Sequence, residues 1–176
     1  MVPSPHVERG GENIGEASMP PIRRTDRRIN NVAEMKDIVE RADACRLAYA
    51  DNGEPYIVTM SFGYLWDDRL VLYFHSAKAG RKIDLLKRNN RVCFEMDIDH
   101  EIYKDEVPCR WGVKFRSLVG YGRLDIVADP AERVRGLELV MRHYGFPGHP
   151  EFNEKVMSVT EVMKLEATEI SGKKKV

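Results

Sequence analysis

With 176 residues and 28 basic side chains balanced by 28 acidic ones, the chain is long enough for one domain with a sizeable core. It lacks the basic excess of a nucleic-acid binder, so any anion recognition falls to local clusters, and three scattered cysteines, Cys45, Cys93 and Cys109, exclude CxxC and zinc-type spacings and fit reduced thiols. No apolar run nears the ~20 residues of a bilayer span and no secretory signal opens the chain, so a soluble, cytoplasmic protein is expected.

Residues 1–28 hold four prolines and three glycines without hydrophobic periodicity, which predicts a disordered or loosely attached N-terminal arm. Asn31 and Glu34 have capping-box spacing, and Val32, Met35, Ile38, Val39 and Ala42 recur at helical spacing to about Ala42. Strands are predicted at Cys45–Ala50 and Pro55–Phe62, joined by the turn Asp51-Asn52-Gly53-Glu54. On the second strand Tyr56, Val58, Met60 and Phe62 share one face, and Ile57, Thr59 and Ser61 the other. A connection over 63–68 leads to a third strand, Arg69–His75, with Leu70, Leu72 and Phe74 opposite Val71, Tyr73 and His75. A helix then runs from about Gly80 to Arg88 and a fourth strand from Arg91 to Asp97, followed by an irregular charged segment at 98–112. Lys114–Val127 is a long fifth strand. Asp129-Pro130-Ala131-Glu132 starts a helix that Gly145-Phe146-Pro147-Gly148 stops, and a last strand, Val162–Ile170, precedes a solvated tail. Strands in hairpin succession with few helices predict a mainly β fold with flanking helices, an antiparallel barrel in one domain over 29–172, with 173–176 as tail.

Three constellations carry chemistry. From His75 through Ser76, Lys78, Gly80, Arg81 and Lys82, a strand exits into a helix start rich in anion-binding groups. A phosphate there meets a hydroxyl, a planar guanidinium fork, mobile ammonium groups and the free amides of a helix N-terminus. An ordinary basic helix face with Ser76 as N-cap uses the same residues, and spacing alone leaves both readings open. On the fifth strand Gly120 and Gly122 lie on one face, leaving a bare patch that suits either a ring or a barrel corner. On the second strand, Tyr56–Ser61 offers main-chain groups and the Thr59 and Ser61 hydroxyls to a heterocycle, or a half-buried strand with hydroxyls in water. His100, His143 and His149 have no metal-ligand spacing, and no metal site is expected.

Taken together, Cys45-Arg46-Leu47-Ala48, Pro55-Tyr56-Ile57-Val58, His75-Ser76-Ala77 with Gly80-Arg81-Lys82, and Arg116-Ser117 with Val119 and Gly122 resemble one family over about residues 30–172. It is the pyridoxamine 5'-phosphate oxidase-like FMN-binding split barrels, in the branch related to nitroimidazole-resistance (Nim) proteins. The resemblance implies a six-stranded split barrel and a homodimer with FMN in the groove between subunits. It lays the isoalloxazine against Tyr56, Ile57, Val58, Thr59, Met60 and Ser61, and gives the phosphate to Ser76, Arg81 and Lys82, with Lys78 adding charge. His75 then faces the flavin or the substrate pocket, while Ser117 and the strand with Gly120 and Gly122 close the site or the subunit contact; an ordinary pKa near working pH makes His75 the candidate catalytic residue, as proton donor or substrate contact, and a phosphate ligand or core hydrogen-bond partner uses the same side chain. The chain ends without the C-terminal arginine–histidine element of true pyridoxamine-phosphate oxidases, so pyridoxine phosphate chemistry is not expected. The function expected is an FMN-dependent oxidoreductase passing electrons from NAD(P)H to a small electron-poor acceptor such as a nitroaromatic, without nucleic-acid or membrane partners. The alternatives are a non-catalytic flavin-binding or sensing module, and a barrel holding haem or a deazaflavin.

Overall fold

The computed structural model describes residues 19–176, so most of the expected N-terminal arm lies outside the described residues. A short 3₁₀ turn at Thr25–Arg27 leads into β1 (Arg28–Ile29), then α1 (Val32–Arg41), β2 (Cys45–Asp51), β3 (Glu54–Met60), β4 (Gly63–Trp66) and β5 (Leu70–Ala77). There follow α2 (Arg81–Arg88), β6 (Arg91–Tyr103), β7 (Gly112–Ile126), α3 (Pro130–His143), α4 (Glu154–Val159) and β8 (Thr160–Lys175). The strands form one antiparallel sheet in the order β3-β2-β6-β7-β8-β5-β4, with β1 added to β8. The class is the expected one, mainly antiparallel β with flanking helices and split-barrel-like, but the described sheet has eight strands rather than six. The additions are β1 and β4; β4 occupies the expected connection and pairs Gly63–Trp66 with Leu70–Tyr73.

Alternation does the sorting. Leu47, Phe94, Met96, Leu118, Leu124, Met163, Leu165, Leu72 and Phe74 all point inward and are fully buried. The helices close what the strands leave open. Asn31 caps α1 by accepting from the Ala33 amide at 2.8 Å, and Met35, Ile38 and Val39 cover the barrel end where Asp37 meets Arg116 of β7 at 2.7 Å. At the other end α2 buries Ile83, Leu85 and Leu86. Asp129 caps α3, accepting from the Glu132 amide at 2.7 Å, and Leu137 and Leu139 of this helix pack on Tyr73, Val127 and Val162 outside the barrel. The helices are thus spent on the two ends and on the β4–β5–β8 side. The outward residues of the other half (Ala48, Cys93, Val119 and Tyr121, with Ile57 beyond them) stay half-buried or exposed.

Two expectations about charge are corrected by one contact. Glu34 does not complete a capping box; both its oxygens accept from Lys174 Nζ at 2.9 Å. Lys174 therefore belongs to β8, which runs on through Lys173 and Lys175 where a solvated tail was expected. Across the α1 end, Arg41 and Arg116 both bind Asp99, and this holds the Asp99 carboxyl below its ordinary range, Arg41 having the largest part.

Candidate flavin-phosphate site

β5 ends at Ala77, and Lys78–Gly80 turn the chain into α2. Gly80 is the N-cap at φ +124°, a left-handed conformation that a side chain disfavours. Its carbonyl accepts from the amides of Ile83 at 2.9 Å and Asp84 at 3.2 Å, so the helix is properly started. Among the described residues no side chain caps it. The first amides of α2 are therefore open to an external acceptor, with the positive end of the helix dipole behind them. Ser76 as N-cap is corrected: its hydroxyl donates to the Ala77 carbonyl at 2.8 Å instead.

Around this opening the structure brings together α2, the β2–β3 hairpin and the edge strand β3. The Arg81 guanidinium lies 4.5 Å from the centre of the Tyr56 ring and reaches Asp51 at 3.4 Å, while Arg88 reaches the other Asp51 oxygen at 3.3 Å. Asp51, read from sequence only as a turn residue, holds Arg81 across the mouth of the site. Nothing local signals that role, because its partners lie 30 and more residues on. Lys82 is half-buried and Lys78 exposed beside Gly80.

The predicted ring strand divides as its alternation requires. Tyr56, Val58 and Met60 turn inward, Met60 fully into the core, so their side chains serve packing. Ile57, Thr59 and Ser61 turn outward and are exposed, and β3 is a terminal strand whose outer main-chain edge pairs with no strand among the described residues. Opposite Thr59 stands Arg46, which binds Glu95 at 3.0 Å and Asp97 at 2.6 Å. Desolvation, then the neighbouring Asp97, raises the Glu95 pKa on this outward face.

His75 follows Val71 and Tyr73 on the outward side of β5, opposite Val162, whereas Ser76 follows Phe74 on the inward side. Solvent reaches the His75 ring, and the protein mass behind it lowers the imidazole pKa by desolvation, favouring the neutral form.

Two expected site residues stand elsewhere. Gly120 is buried, and a Cβ there would sit 2.3 Å from the Phe94 ring and 2.8 Å from the Glu169 carbonyl. The ring that approaches this bare backbone is therefore Phe94, inside the barrel, and not a cofactor. Ser117 lies on β7, three strands from β3, and its hydroxyl donates to the Lys173 carbonyl at 3.5 Å. His143, which has no metal-ligand spacing in the sequence, has a structural role: its Nε2 is 2.8 Å from the Ala42 carbonyl and its ring packs 4.3 Å from Phe62. Among the described residues no helix is long and apolar enough to cross a membrane.

Comparison with known proteins bears on this geometry. A candidate 5-nitroimidazole antibiotic resistance protein of Bacteroides thetaiotaomicron is 30% identical, with a TM-score of 0.73, covering 83% of this chain and 85% of its own. The flavocytochrome Anf3 of Azotobacter vinelandii (18% identity, TM-score 0.73, 89% of this chain and 72% of its own) shares the fold. So does a FAD- and haem-binding protein of Mycobacterium smegmatis (15% identity, TM-score 0.74, 84% of this chain and 73% of its own). No curated protein matches the chain. The pyridoxamine 5'-phosphate oxidase family model matches residues 31–174, which takes in α1, all of the sheet except β1 and the last residue of β8, and the whole β5–α2 corner. The chain belongs to the pyridoxamine 5'-phosphate oxidase family.

Proposed function

We propose that this chain is an FMN-dependent oxidoreductase that acts as a homodimer and reduces a small electron-poor acceptor at the expense of NAD(P)H. The observation that carries the reading is the uncapped N-terminus of α2 with Arg81 and Lys82 on its first turn, next to the unpaired edge of β3. A phosphate fits this donor set: amides and two cations answer its charge of about −1.5 to −2, and no carboxylate stands on the first turn before Asp84. Ser76 and Lys78 border the same turn. FMN, when bound, supplies the hydride and electron chemistry. The chain's own groups then bind and orient: α2 the phosphate, the β3 edge with Thr59 and Ser61 the heterocycle. His75, whose imidazole pKa is lowered by desolvation, can donate one hydrogen bond and accept another at the acceptor.

The second subunit meets a need visible in one chain. Among the described residues no helix covers the outward face of β2, β6 and β7, where Ala48, Cys93, Val119 and Tyr121 lie beside Arg46, Glu95 and Asp97, and Ser117 lies on that same face. A second copy packed there covers the apolar stripe and returns Ser117 to a site formed between subunits. The acceptor class follows the 30%-identical relative, a candidate 5-nitroimidazole antibiotic resistance protein.

The test is anaerobic. The purified chain is expected to hold FMN with its yellow absorbance, NADPH or NADH is expected to bleach it, and a nitroimidazole to restore it. A yellow protein that neither nicotinamide bleaches removes the reductase reading and leaves a flavin-binding module.

A further inference from the structure

Arg81 is gripped from two sides. Its guanidinium lies 4.5 Å from the centre of the Tyr56 ring, and its Nη2 stands 3.4 Å from Asp51 Oδ2. Both grips come from one hairpin. Asp51 ends β2, Tyr56 stands on β3 opposite Tyr49, and the turn between them carries Asn52 and Gly53 at φ +53° and +93°. Tyr56 also packs against the core, so the platform under the guanidinium is anchored to the barrel.

The grip leaves the cation usable. A guanidinium has five N–H donors and the Asp51 contact takes one, so the rest of the fork stays open to an acceptor. The Arg81 side chain is 55% exposed and that of Asp51 only 21%. The carboxylate is the sheltered partner, and the guanidinium is the one that meets solvent. Nor is the Asp51 charge set against an incoming phosphate. Its other oxygen lies 3.3 Å from Arg88, on the same stripe of α2 about 10 Å beyond Arg81, so a cation outside the first turn balances it. Holding a long side chain in its bound geometry beforehand removes part of the ordering cost of binding.

We propose that Asp51 and Tyr56 are positioning residues for phosphate recognition: they hold the Arg81 fork at the mouth of the β5–α2 corner. The preference for FMN over riboflavin then depends on the β2–β3 hairpin as well as on α2. The inference rests on the flavin-phosphate reading above and deepens it, and its test separates the two.

Affinities of the full chain for FMN and for riboflavin, which lacks the phosphate, are measured by flavin fluorescence titration. Asp51→Ala is expected to weaken FMN about fivefold, the scale of ordering one long side chain, and to leave riboflavin unchanged. Tyr56→Leu is expected to do the same. Tyr56→Phe keeps an aromatic face under the guanidinium and is expected to bind FMN as the wild type does. On an Arg81→Ala background, Asp51→Ala is expected to change FMN affinity by less than about twofold, because the side chain it positions is gone.

Unchanged or tighter FMN binding by Asp51→Ala overturns the proposal. So does an equal loss for riboflavin, the mark of a merely structural hairpin, or a loss of the same size without Arg81. Should Asp51→Ala fail to fold, the Tyr56 pair decides, and equal FMN affinities of Tyr56→Leu and Tyr56→Phe overturn the proposal. Wild-type FMN affinity in the Arg81→Ala, Lys82→Ala chain instead overturns the underlying site.

Discussion

Replacing Arg81 and Lys82 together by alanine is expected to weaken FMN binding at least about a hundredfold while the fold melts as before. Hydrogen bonds to a charged group contribute roughly 1.5–3 kcal/mol each, and each 1.4 kcal/mol is a factor of ten, so losing two cations from one phosphate exceeds two decades. Stability is spared for a structural reason. Asp51 keeps Arg88 at 3.3 Å when Arg81 is gone, so no carboxylate is stranded, and the buried residues of α2 are Ile83, Leu85 and Leu86. The α2 amides remain in the variant, so some binding survives. Flavin fluorescence titration measures the effect; an affinity within threefold of wild type places the phosphate elsewhere.

Gly120→Val is expected to destabilise the protein by about 3 kcal/mol, the upper end for overpacking a tight core, which lowers the melting temperature by about 6–12 °C in a chain of this size. The added Cβ meets the Phe94 ring at 2.3 Å and the Glu169 carbonyl at 2.8 Å, and the latter is sheet backbone that cannot swing aside. Phe94 itself is fully buried, so moving it disturbs the rest of the core. Shortening the ring relieves half of the conflict: Gly120→Ala combined with Phe94→Leu is expected to lie closer to wild type than the sum of the two single variants. If Gly120→Val melts like wild type but loses flavin, the glycine faces a ligand and its assignment to the core is wrong.

Gly120 also marks the limit of what can be read from residues in order. Period two correctly placed Gly120 and Gly122 on one face with Leu118 and Leu124, but which ring fills the bareness depends on Phe94, brought opposite by the β6–β7 register. The β5–α2 corner was legible because its groups are contiguous from Ser76 to Lys82, and helix starts at Asn31 and Asp129 were legible because a cap is a local bond. What escaped depends on distant partners. β4 looks like a connection because Asp67 and Asp68 follow at once, yet Gly63 packs flat against the α3 backbone at Leu139 and Val140. The last lysines look like a solvated tail because of their charge, and only the return of α1 supplies Glu34 to Lys174. The Glu101–Lys114 ribbon looks irregular because its strands are short and its tip is charged.

The central claim is a phosphate held where β5 gives way to α2, and a crystal structure of the full chain grown with FMN tests it most directly. The account predicts electron density for the phosphate against the Arg81 and Lys82 amides, within reach of both side chains, and the ring along β3. Flavin seated elsewhere on the protein, with that corner filled by water, contradicts it.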